Sequence, residues 1–214
     1  MTTTYLNNDG TVTVSGTGTI NKTDTDSGTF RFAGRDVIEF GSTDYFNLEV
    51  SSGSVGLTAA TRVAGDVTLS GGTFSPSGNA LYVGADWNKG GSATFTAGTA
   101  TVYFTGTGLI SGTTSFNNLV IVSGASVSLS DDISVEDITL GGTLSGGSST
   151  ISVGGDWTRT SGTFTAGSST VDFVTGSGAS TITGNNTFNV LKSTAAGKTI
   201  NFTVGASGAS PKVY

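Results

Sequence analysis

Two pairs of adjacent residues, Asp86-Trp87 and Asp156-Trp157, carry the side chains best equipped in this 214-residue chain to hold a ligand. An indole face can stack on a sugar ring while the neighbouring carboxylate accepts hydrogen bonds from its hydroxyls. The same pair also suits a corner of the chain, with Asp bonding backbone N–H groups and Trp covering the edge of a core. Asp131, Asp132, Glu136 and Asp137 form a dense acidic cluster, and Asp24 with Asp26 a thinner one. Hard oxygen ligands of this kind can bind Ca2+, which makes Asp131, Asp132 and Asp137 candidates. No EF-hand loop and no Gly-rich Ca2+ nonapeptide accompanies them, so solvated turn charges are the competing reading. Catalysis has less to draw on. The chain has no His, no Cys, no Gly-x-Ser-x-Gly elbow and no phosphate loop. Its few acids lie mostly at turn signals, a poor start for a glycosidase pair. The expectation is a protein that is not an enzyme and needs no cofactor.

These residues recur with the chain around them. Gly-Ala-Asp-Trp87 followed by Ala93-Thr-Phe-Thr-Ala-Gly98 matches Gly-Gly-Asp-Trp157 followed by Gly162-Thr-Phe-Thr-Ala-Gly167. Thr101-Val-Tyr-Phe-Thr105 matches Thr170-Val-Asp-Phe-Val174, and Val37-Ile-Glu-Phe40 stands in the corresponding place of a degenerate first copy. Phe46-Asn-Leu48, Phe116-Asn-Asn-Leu119 and Phe188-Asn-Val-Leu191 form a third anchor. A unit of roughly 70 residues is thus written almost three times, the signature of a repeat architecture. The expected organisation is an N-terminal β-rich arm or cap over 1–27, repeats over about 28–64, 65–134 and 135–204, and a tail over 205–214.

Hydrophobic residues make up 35 % of the chain and sit in short alternating runs such as Val12-Thr-Val14, Val67-Thr-Leu69 and Val127-Ser-Leu129. Period-two alternation predicts strands with one buried face. Thirty-four Gly residues argue against helix, where each costs about 1 kcal/mol relative to Ala. The predicted fold is all-β, a right-handed parallel β-solenoid with coils of roughly 23 residues and two or three strands each. At about 4.8 Å per coil, nine coils make a rod of roughly 40–45 Å. Paired antiparallel sandwiches are the rival architecture. In a solenoid, Asn47, Asn117, Asn118 and Asn189 would form an internal amide ladder, and Phe104 and Phe173 would be buried at equivalent positions.

Nine basic against fifteen acidic residues leave a net charge of −6, too few cations to neutralise a phosphate backbone, so nucleic acid is not an expected partner. No apolar run is long enough for a transmembrane helix, and membrane insertion is not expected. No signal peptide is visible. A composition rich in Thr, Ser, Gly and Asn points to an extracellular or cell-surface setting, where Asn21, Asn185 and Asn201 would be glycosylation acceptors.

The string Gly-Gly-Asp-Trp-Thr158, Ser161-Gly-Thr-Phe-Thr-Ala-Gly167, Thr170-Val-Asp-Phe173 and then Phe-Asn-x-Leu resembles the Gly/Thr-rich repeats of large bacterial extracellular and adhesin-like proteins. The resemblance spans about residues 28–204. It implies a secreted β-solenoid used as a stalk, fibre or scaffold.

Three functions follow as expectations. The first is a non-enzymatic structural subunit that polymerises with itself head to tail, using Tyr5, Leu6, Val12 and Val14 at one end and Ile200, Phe202 and Val204 at the other. The second is an adhesin segment that binds surface glycan through the Asp-Trp corners. The third and remotest is an ice-binding solenoid, suggested by Thr94-Phe-Thr96 and Thr163-Phe-Thr165.

Overall fold

The computed structural model describes residues 2–3, 9–15, 19–20, 26–34, 44–176 and 178–203. Tyr5, Leu6, Asn21, Asp24, Val37–Phe40 and Val204 lie outside the described residues. Every regular element described is a β-strand, and every strand pairing is parallel. The chain divides into two compact units, Met1–Tyr103 and Phe104–Tyr214.

In the first unit, successive strands take up three sheets in rotation, the arrangement of a parallel β-solenoid. One sheet stacks Thr11–Val14, Thr29–Phe32, Asn47–Val50, Val67–Leu69 and Trp87–Lys89 in that order. A second stacks Asp44–Tyr45, Thr61–Val63, Leu81–Val83 and the strand beginning at Thr101. A third stacks Ser54–Gly56, Thr73–Ser75 and Thr94–Phe95. Thr2–Thr3 also pairs in parallel, with Thr19–Ile20. Thr11–Val14 is therefore no loose arm, since it lies in register along Thr29–Phe32 and covers the buried Phe30 and Phe32.

The second unit repeats the scheme. Its sheets stack Thr107–Ser111, Ser126–Leu129, Thr143–Ser145 and Thr163–Thr165; Asn118–Ile121, Asp137–Leu140, Trp157–Arg159, Ala179–Thr183 and Thr199–Thr203; and Thr114–Ser115, Ile133–Val135, Thr150–Val153, Thr170–Phe173 and Val190–Ser193. Alternation along the strands sends most Val, Ile, Leu and Phe side chains inward and most Thr, Ser and charged ones outward. One inward file runs Val135, Val153 and Phe173, all buried.

The turn is shorter than the expected 23 residues. Leu48 pairs with Val67, nineteen residues on, and Val67 with Trp87, twenty on. Ile151 pairs with Val171 and Val171 with Leu191, twenty residues each. Seventy residues is thus not a whole number of turns, and the copies of the sequence repeat do not stack on one another. Within the second unit, Leu119 lies in the sheet of Asp137–Leu140, whereas Leu191 lies in the sheet of Thr170–Phe173. Each turn has three faces, and the later copy begins on a different one.

Phe104 and Phe173 are fully buried, whereas Phe202 on the last described strand is 43 % exposed. Phe173→Ala or Phe104→Ala is expected to destabilise the protein by about 3–5 kcal/mol in urea denaturation. Phe202→Ala should lower stability far less, and equal losses at all three positions would contradict this burial pattern.

Candidate functional site

The Asp-Trp corners are built from the inside outward. Trp87 and Trp157 open strands with their rings directed inward, and both are 0 % exposed. Trp87 meets Phe95 edge to face at 4.8 Å, and Trp157 meets Phe164 at 4.8 Å and Phe188 at 5.3 Å. The Trp157 indole N–H donates to Asn186 Oδ1 at 3.0 Å, and the Asn186 amide donates to the carbonyls of Thr183 and Gly184. The repeated string thus encodes a local contact: the Trp and the Phe of Thr-Phe-Thr pack together within one copy. A ring wholly inside the core has no face to offer a sugar. Glycan binding through Asp86, Trp87, Asp156 and Trp157 is therefore corrected to a corner that completes the core.

The aspartates of these corners have a different task. Asn47 Oδ1 accepts the Asp66 N–H at 2.8 Å, and Asp66 Oδ1 accepts the Asp86 N–H at 3.0 Å. In the second unit, Asp137 Oδ1 accepts the Asp156 N–H at 2.7 Å, and Asp156 Oδ1 accepts the Thr181 N–H at 2.7 Å. Each acceptor immediately precedes a core residue, and those core residues are in register: Leu48, Val67 and Trp87, then Ile138, Trp157 and Ile182. The corner side chain of one turn therefore ties down the backbone of the next. The expected internal ladder of Asn47, Asn117, Asn118 and Asn189 is replaced by this one, which runs at the corner, uses Asp more than Asn and bonds to backbone rather than amide to amide. Asn117, Asn118 and Asn47 are half-buried and Asn189 is exposed. The enclosed amide belongs to Asn186, which no recurrence in the sequence marks.

The glycine before the aspartate follows from the same geometry. A Cβ at Gly155 would run into Asp137 Oδ1, and one at Gly65 into Asn47 Oδ1. Ala85 occupies the matching place before Asp86, where the bond is the longer one at 3.0 Å. Gly162 is more tightly held, because a Cβ there meets the backbone carbonyl of Gly142.

The acidic cluster is dispersed by its backbone bonds. Asp131 Oδ2 accepts from the Gly112 N–H at 2.8 Å and the Ser130 hydroxyl at 2.9 Å. Asp132 Oδ1 accepts from the Thr150 N–H at 2.6 Å, and Asp137 serves Asp156. Among the described residues no three acidic, His or Cys side chains are grouped as a metal site. Asp131, Asp132 and Asp137 are accordingly corner acceptors and not a shared Ca2+ site. The Gly112 N–H, then the Ser130 hydroxyl, hold the Asp131 carboxyl below the usual aspartate range.

The residues expected at the ends are better placed. Ile200 and Phe202 lie in register with the buried Ser180 and Ile182, on the file that faces the core. No described strand follows Thr199–Thr203 in its sheet, so Ile200 is only half-buried and Phe202 stands open. Val12 and Val14 are half-buried on the outermost strand of the first unit's sheet. The Thr arrays extend further than their sequence spacing indicates. Thr107, Ser126, Thr143 and Thr163 form one outward file, and Leu109, Ser128, Ser145 and Thr165 another.

Comparison with protein-family models, with curated proteins and with solved structures gives no match.

Gly162→Ala is expected to lower stability by about 1–3 kcal/mol, since a backbone carbonyl must yield. Gly155→Ala should be milder, because a side-chain oxygen can withdraw as it does beneath Ala85. Calorimetry that ranks the two in the opposite order would refute the corner geometry. Asp131 sets a pH dependence. Its folded carboxyl stays ionised to lower pH than the unfolded one, so its contribution is present above the ordinary aspartate pKa and is lost as pH falls through the lowered value. Asp131→Asn should therefore flatten the acid limb of stability, read by urea denaturation at a series of falling pH values; an unchanged acid limb removes Asp131 from that role.

Proposed function

We propose that this chain is a non-enzymatic structural subunit of an extracellular or cell-surface fibre or scaffold, joined to further copies head to tail by strand pairing. The reading is supported above all by Phe202. It occupies a core file, in register with Ile138, Trp157 and Ile182, yet is 43 % exposed because no described turn covers it. Parallel strands also leave alternate backbone groups directed away from the last partner. The Thr203 carbonyl bonds back to the Gly184 N–H, so the N–H and C=O groups of Ile200 and Phe202 face the other way. A strand edge that no described strand pairs, beside open apolar side chains, is a template for another strand. A second copy supplies one in Thr11–Val14, whose Val12 and Val14 are half-buried on an outermost strand. Such a contact is heterologous, uses different surfaces on the two copies and propagates without closing. The Gly/Thr-rich composition and the resemblance to bacterial surface repeats support the extracellular setting.

Light scattering after size-exclusion chromatography and negative-stain microscopy of the full chain test this reading. Long assemblies should appear as concentration rises, and the double substitution Ile200→Lys with Phe202→Lys should abolish them while leaving the circular dichroism and melting profile in place. A wild-type chain that stays monomeric at high concentration and low salt would sink the proposal.

A further inference from the structure

One outward file in the first unit is unlike the hydroxyl files elsewhere. Asp44 pairs in register with Arg62, and Arg62 with Tyr82. The Arg62 guanidinium lies 4.3 Å from the centre of the Tyr82 ring. On the neighbouring strand, Tyr103 stacks on Tyr82 with ring centres 4.8 Å apart and planes 16° from parallel. Arg62 belongs to the turn before Tyr82 and Tyr103 to the turn after, so the Tyr82 ring is held between a cation and a second phenol. The strand residues on either side of these tyrosines, Leu81, Val83, Val102 and Phe104, are fully buried and fix where both phenols stand. Both rings are half-exposed and open to a reagent from solvent. Their separation is the spacing of adjacent parallel strands, which the backbone hydrogen bonds hold constant.

We propose that Tyr82 and Tyr103 form an oxidative cross-linking site, coupled to dityrosine by a haem peroxidase with hydrogen peroxide as oxidant. Each phenol gives up one electron and its O–H proton and becomes a phenoxyl radical. The two radicals combine at carbons ortho to oxygen, forming one C–C bond. The hydrogens displaced from those carbons move to the oxygens and restore both aromatic rings. The pair thus loses two hydrogens in all, and the two electrons and two protons reduce one peroxide to two waters. Holding the rings in contact makes the coupling intramolecular and favours it over encounters between chains. Tyr45, by contrast, is buried against Phe30 and Phe32 and out of reach of a peroxidase. The resulting bond ties consecutive turns together on their outer face. This inference stands whether or not the chain polymerises.

The test uses the full chain, dilute, with horseradish peroxidase and hydrogen peroxide, followed by trypsin and mass spectrometry. Cleavage after Lys89 separates Tyr82 from Tyr103, so coupling joins the fragments 63–89 and 90–159 with a mass two hydrogens below their sum. Dityrosine fluorescence should rise with that species. Tyr82→Phe and Tyr103→Phe should each abolish it, with no loss of fold by circular dichroism. Urea should suppress the Tyr82–Tyr103 product, because the contact belongs to the folded state. The proposal is overturned if the folded chain yields only couplings through Tyr5 or Tyr214, only links between chains, or the same product yield in urea.

Discussion

Everything in this protein answers to one spacing, the distance of about 4.8 Å between parallel strands in successive turns. A turn has no other way to satisfy its strand backbone than to hand its N–H and C=O groups to the turns on either side. That demand is met within each strand by the ladder, and backbone bonds such as Gly65 N–H to the Phe46 carbonyl and Gly155 N–H to the Glu136 carbonyl carry it into the corners. At several corners a side-chain oxygen joins in: Asn47, Asp66, Asp137 and Asp156 each accept the backbone N–H that begins the same corner one turn later. The space left beneath the next corner is then too small for a Cβ at Gly65 or Gly155. The Gly-Asp dipeptides are a consequence of the stacking distance.

The same distance governs the interior. Inward side chains stack in files, so a mismatch in size is felt by the turns on both sides. The large rings fill their files by leaning on neighbours, Trp87 on Phe95 and Trp157 on Phe164 in their own turns, and Trp157 also on Phe188 of the turn that follows. A buried indole N–H needs an acceptor, and Asn186 supplies it to Trp157 while its own amide is taken up by two carbonyls. On the outside there is little charge and much hydroxyl. The sparse ion pairs, such as Arg31 with Glu49 at 2.8 Å, bridge adjacent strands in register and add little in water.

The sequence was legible where the physics is local. Alternation in Val12-Thr-Val14 or Val67-Thr-Leu69 marks strands directly, and the recurrence of Trp and Thr-Phe-Thr marks a contact made within one copy. The burial of Phe104 and Phe173 follows from the same alternation. Register between turns is another matter. It depends on the length of every corner, and a single longer turn, such as the twenty-five residues between Trp157 and Ile182, shifts all that follows. Recurrence therefore pointed to the right architecture through an assumption the structure does not keep, that matching residues lie above one another. The Asp-Trp pairs were ambiguous for a related reason. Asp beside Trp describes a sugar platform and a core corner equally well, and only the direction of the indole decides. Asn186 carries no mark in the sequence because its role depends on a partner twenty-nine residues away.

The rotation of the copies from face to face bears on how such a chain lengthens. If every copy had to begin on the same face, duplication would succeed only when the copied segment held a whole number of turns. Here Leu119 and Leu191 stand on different faces and the stack continues without a break between them. The rule for adding material is thus set by the strand and its corner, not by the turn. A gene could gain or lose whole strands with their corners, without completing a turn, and still encode a stack with a filled centre. Inheritance in this fold is one-dimensional, and the period seen in the genetic text need never agree with the period of the object it builds.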